Sequence, residues 1–191
     1  MAHGQPQPGV FRHENHDGKI NRKVEVTWSG QDVSTVASPE LTYLGDPPAS
    51  RAQRLGSVGY LTAILRLSLA DDQGPCHEAQ SIFNGKELSD LGFSNSRALA
   101  LTEVQQKMGL THGLRCDTVF KEVAGYHKKK GKARNQGLDK PLEADFARIG
   151  EDGPWIPFRL VASTPLGAAT VDLTHINASG KLPETLAQAD R

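Results

Sequence analysis

The stretch Leu101–Tyr126, LTEVQQKMGLTHGLRCDTVFKEVAGY, decides how the rest of the chain is read. Leu101, Val104 and Met108 recur at helical spacing, with Ser94 or Ser96 available as N-cap and Gly109 as the stop. Asp117 stands where it would cap a second helix that turns Val119, Phe120, Val123 and Tyr126 inward. This reading makes the middle of the chain helical.

Upstream, Ile20, Val24, Val26 and Trp28 alternate with Asn21, Lys23, Glu25 and Thr27, the period-2 pattern of a half-buried strand closed by Ser29-Gly30. Val33 to Leu44 reads as a short strand on either side of Ser38-Pro39. Asp46-Pro47-Pro48 has the form of a cap followed by proline, which starts a short helix to Leu55. Tyr60 to Leu69 alternates Leu61, Ala63, Leu65, Leu67 and Leu69 with Thr62, Ile64, Arg66 and Ser68 and reads as a strand. Gly56 and Gly59 would each cost a continuous helix about 1 kcal/mol against alanine.

Downstream, Asp139-Lys140-Pro141 opens a third helix bearing Leu142, Phe146 and Ile149 and ending at Gly150. Two strands follow, Trp155 to Ser163 and Ala168 to Thr174, joined by the turn Thr164-Pro165-Leu166-Gly167. The expected fold is therefore α+β, an antiparallel sheet of N-terminal and C-terminal strands with a central group of helices on one face. Residues 1–18 and 177–191 read as polar tails around a single domain, 19–176.

At 191 residues the chain is long enough to bury one core. No run of eighteen apolar residues is present, which excludes a helical membrane span. The start, Met1 to Gly9, lacks the charged and apolar regions of a signal peptide. Two cysteines are too few for a disulfide framework, so reduced thiols and a cytoplasmic location are expected.

Function is carried by charge. From Lys121 to Lys140 seven Lys or Arg face two acids, a local charge of +5. The whole chain, with 22 of each sign, sums to zero. The block Tyr126-His127-Lys128-Lys129-Lys130-Gly131-Lys132-Ala133-Arg134, within the loop 127–137, suits a polyanion. Lys128, Lys129, Lys130, Lys132 and Arg134 would neutralise phosphates, and Tyr126 would stack on a base. The leading expectation is a non-enzymatic binding domain or complex subunit that contacts RNA or DNA backbone. One alternative is a small hydrolase or nuclease with His127 as acid–base and lysines stabilising charge, with His112 or His175 as second base. Another is an adaptor or immunity-like module that meets an acidic protein partner.

No motif assigns a catalytic residue, and neither a cofactor nor a metal is expected. Cys76, His77, His112 and Cys116 offer soft ligands, but without a Cys-x2-Cys pair they read as two buried thiols and two surface imidazoles. His13 and His16 lie in the polar arm. A helix-turn-helix over Leu101–Lys132 is disfavoured because residues 112–116 break its spacing. Asp172 to Asn177 opens like an HNH nuclease motif, but the asparagine and histidine that should follow are missing.

Overall fold

The computed structural model describes residues 6–17, 20–71, 73–127, 142–164 and 167–174. Strand accounts for 51% and helix for 15%, which overturns the α+β expectation in favour of a mostly-β chain. The first sheet, ordered β1-β2-β3, holds β1 (Val10–Asp17), β2 (Ile20–Trp28) and β3 (Val33–Ser38). The second is an antiparallel meander of six strands in sequence order. It comprises β4 (Ala79–Phe83), β5 (Leu88–Leu99), β6 (Leu110–Ala124), β7 (Leu142–Ile149), β8 (Trp155–Thr164) and β9 (Gly167–Asp172). The helices are short: α1 (Arg51–Leu55), α2 (Tyr60–Ser68) and α3 (Glu103–Lys107).

The strand expected over Ile20–Trp28 is β2, and its Val24, Val26 and Trp28 are buried. Strands are also present near the ends expected for the β8–β9 pair. Four expectations are corrected. Residues 10–17, read as tail, form β1 in unbroken register with β2, from Val10↔Thr27 to Asp17↔Ile20. Residues 60–68, read as strand, are α2; Gly59 ends up at its N-cap rather than inside it, so it no longer penalises the helix.

The central helices are the third correction. The helix expected after Ser94 shrinks to α3, capped by Thr102 and Gln105 in a reciprocal capping box. The helix expected after Asp117 is the second half of β6. The fourth is the helix expected after Asp139, whose Leu142–Ile149 portion is β7. In β6, Leu114, Cys116, Thr118 and Phe120 face one side and Arg115, Asp117, Val119 and Lys121 the other, which is strand alternation. Strand pairing on both sides, with β5 and β7, satisfies a backbone that an isolated helix would have to satisfy alone.

Three packing layers follow. Val24, Val26, Trp28 and Val33 of the first sheet meet Phe83, Leu88 and Ala124 of the second. On one face of the six-stranded sheet, α2 inserts Leu67 over Phe93, Phe146 and Trp155, around a disulfide between Cys76 and Cys116. Phe93 and Phe146 meet edge to face at 5.4 Å, an arrangement that adds about 1 kcal/mol beyond area burial. On the opposite face Leu110, Ala147 and Phe158 form a smaller core with Leu99, Leu101 and Met108, closed by the α3 segment.

Candidate polyanion-binding site

The basic segment leaves the C-terminal end of β6, and that end is built by close backbone contact. Asp46 N–H donates to the Tyr126 carbonyl (3.1 Å) and Gly125 N–H to the Pro47 carbonyl (2.8 Å). Gly45 and Gly125 have φ of +94° and +86°; a Cβ on Gly45 would overlap the Gly125 backbone, and one on Gly125 would overlap the backbone of Lys86 and Glu87. This contact brings the 39–50 loop onto the base of the basic segment.

Tyr43 consequently lies on His127, with ring centroids 4.2 Å apart and planes 14° from parallel. The Lys86 ammonium stands 5.6 Å from the centre of the Tyr43 ring, within cation–π range. Lys86 is delivered by the β4–β5 turn, where the Asn84 side chain accepts from the backbone N–H of Lys86 (3.1 Å) and Glu87 (2.8 Å) and Gly85 takes φ +100°. An imidazole and an ammonium thus share one aromatic ring at the point where the chain enters its lysine run.

Of the residues expected to form the site, Tyr126 and His127 are described. Lys128, Lys129, Lys130, Lys132 and Arg134 lie outside the described residues. His127 is exposed, whereas Tyr126 is half-buried and its hydroxyl is hydrogen-bonded to the Ser89 hydroxyl. Burial pushes the Tyr126 phenol above its ordinary value. The exposed ring beside the segment is Tyr43. Sequence reading missed Tyr43 and Lys86. The Asn84-Gly85 pair is a hairpin signal that would have put Lys86 at a turn; nothing local marks Tyr43.

His112 does not join His127. It lies near the other end of β6, a strand of 15 residues, so the two imidazoles are roughly 40–50 Å apart along it. There His112 adopts φ +49° and bonds Glu151 (2.7 Å), in a cleft of about 930 Å3 that also includes Arg148 and Trp155. His175, the other candidate second base, lies outside the described residues.

The cysteines come together without a metal ligand set. Cys76, in the 3-10 turn Pro75–His77, and Cys116 are fully buried and bonded to each other, which replaces the expected free thiols. Among the described residues no three His, Cys, Asp or Glu gather as a metal site. His13 and His16 sit three apart on β1, so they point to opposite faces; His13 bonds the Asn84 carbonyl (3.1 Å) and His16 the Asn21 side chain (2.9 Å).

The outer face of the six-stranded sheet carries a row of alternating charge: Arg115, Asp145, Arg159 and Asp172 lie opposite one another across β6 to β9. Arg115 grips Asp145 with two hydrogen bonds, 2.6 and 2.8 Å, and this contact holds the guanidinium well above its ordinary pKa. Asp117, held by Arg97 (2.7 Å) and Asn95 (2.8 Å), is pushed below the usual carboxylate range.

Comparison with known proteins finds no matching family model, curated protein or solved structure.

Proposed function

We propose that this chain is a non-enzymatic β-sheet binding domain or complex subunit, which contacts the backbone of a nucleic acid or a similar polyanion at the end of β6. The observation that carries the reading is the Tyr43–His127–Lys86 cluster beside the segment that holds Lys128, Lys129, Lys130, Lys132 and Arg134. A ring that organises one cation and one imidazole fixes the entry of the lysine run, and a fixed entry limits the orientations in which phosphates are met. The rest of the chain carries −5, so a polyanion is attracted at this end and repelled elsewhere. The hydrolase alternative loses support because the described second base stands at the far end of β6.

Location belongs to the same proposal. A buried disulfide fits folding in an oxidising compartment better than the reducing cytoplasm expected from the cysteine count.

The test is fluorescence anisotropy with labelled single-stranded DNA and RNA of equal length, titrated with salt. Five engaged cations give a log–log slope of about −3.5 for single strands, or roughly a hundredfold loss of affinity between 50 and 200 mM salt. Simultaneous alanine substitution of the four lysines and Arg134 should flatten the slope. Absence of binding at low salt, or an unchanged slope in the variant, defeats the proposal. Capture of an acidic protein that survives nuclease digestion would favour the adaptor reading instead.

A further inference from the structure

A pocket of about 260 Å3 opens where β3, the 39–50 loop, α1 and the β4–β5 turn meet. Ala37, Leu44, Ala49 and Phe83 give it apolar walls. Lys86 belongs to its lining and also stands over the Tyr43 ring, and Tyr43 lies in sequence between two lining residues, Leu41 and Leu44. The pocket therefore adjoins the Tyr43–His127–Lys86 cluster at the start of the lysine run.

Its polar groups suit a nucleobase better than a phosphate. Thr35 Oγ1 and Arg54 Nε are buried and have no hydrogen-bond partner among the described residues. The Arg54 guanidinium donates to the Val33 carbonyl (3.1 Å), which holds it against β3 while its Nε stays unused. Neither side chain is locked in the core, both being half-buried. Polar atoms left in this state are satisfied by an occupant that brings its own donors and acceptors. Glu40 lines the same pocket, is exposed, and as a carboxylate accepts only. It would repel a phosphate drawn in by Arg54 and Lys86, whereas it accepts from the ring N–H or amino group of a base. A base also carries flat apolar faces for the walls to cover.

We propose that the pocket receives one unpaired base of a single-stranded nucleic acid. Glu40 accepts from the base edge, Thr35 and Arg54 meet its acceptors, and Lys86 meets a flanking phosphate. The site, which depends on the polyanion reading above, narrows the ligand from any backbone to a single strand. In a duplex the bases are stacked and their edges paired, so none can enter.

Fluorescence anisotropy at one low salt concentration, with a labelled DNA strand of mixed sequence and the blunt duplex of that strand, tests this. Cations alone favour the duplex, whose charge density is higher. The unaltered chain should instead bind the single strand about tenfold more tightly. Glu40→Ala removes a negative charge beside a polyanion, which by itself tightens binding. With a base in the pocket it should weaken the single strand about tenfold and leave the duplex unweakened. Thr35→Val should also weaken the single strand, while the unfolding midpoint of the free protein holds or rises because a partnerless buried hydroxyl is lost. Binding of neither probe defeats the polyanion reading and this site together. Salt-dependent binding with the duplex equal or preferred leaves that reading standing and overturns the pocket. So does tighter binding of both probes by Glu40→Ala, or unchanged single-strand affinity in the folded Thr35→Val chain.

Discussion

Tyr126 shows how a single side chain acquires a role its sequence position does not suggest. As the first residue of a basic block it reads as a ring offered to a ligand, yet it is half-buried with its hydroxyl on Ser89. Desolvation raises its pKa in the folded state, so ionisation is easier once the chain unfolds. The sign is then fixed: the contribution is fully present below the unfolded value of about 10 and is lost as pH rises through the folded value. Denaturant midpoints measured upward from neutral pH should fall more steeply for the unaltered chain than for Tyr126→Phe. The phenylalanine variant should begin about 1 kcal/mol less stable, because it loses the hydrogen bond to Ser89. Parallel curves would show that the phenol does not carry the alkaline loss.

At the scale of elements, the decisive fact is the length and irregularity of the strands. β5 and β6 run to 12 and 15 residues against a usual five or six, and each pairing from β5 to β8 contains a register shift. A shift moves the apolar face by one residue and breaks period-2 alternation in the sequence. β7 hides its alternation differently. Ala144, Asp145, Phe146 and Ala147 are all buried, so both faces of LEADFARI look internal, and Leu142, Phe146 and Ile149 coincide with helical spacing. β2 was legible because Val24, Val26 and Trp28 lie on one covered face without interruption. The basic segment was legible as composition, but its anchor was not: Tyr43 reaches His127 through two glycines 80 residues apart. Asp145 tests the energetic weight of this geometry. Its side chain is 3% exposed against 30% for its partner Arg115, and alanine there leaves that guanidinium without its bidentate acceptor. Asp145→Ala should cost about 2–4 kcal/mol in equilibrium unfolding, less than a wholly buried pair because Arg115 is partly solvated. A loss below about 1 kcal/mol would mean that the row of charges across β6–β9 behaves as an ordinary surface network.

Across the whole molecule, the Cys76–Cys116 bond does what strand pairing cannot. The meander joins neighbours in sequence, so its pairings are largely hairpins, while the disulfide closes a loop of 40 residues that includes β4, β5 and α3. It pins the turn that follows α2 to the middle of β6, beneath Leu67, Phe93 and Trp155. Chain-entropy closure of a loop of that length corresponds to about 4 kcal/mol, removed from the unfolded state rather than added to the folded one. That is a large part of the 5–15 kcal/mol expected for a domain of this size. Replacing both cysteines with alanine should therefore lower unfolding stability by about 3–5 kcal/mol. Reductant should leave the native chain largely oxidised until denaturant exposes the bond, because both sulfurs are fully buried. Denaturant titrations of the oxidised chain, the chain unfolded and refolded under reductant, and the double-alanine variant separate the effects. Equal midpoints for all three would show that packing around β6 holds the fold without the crosslink. A low midpoint shared by the reduced chain and the alanine variant would place the stabilisation in the bond itself and tie stable folding to an oxidising environment.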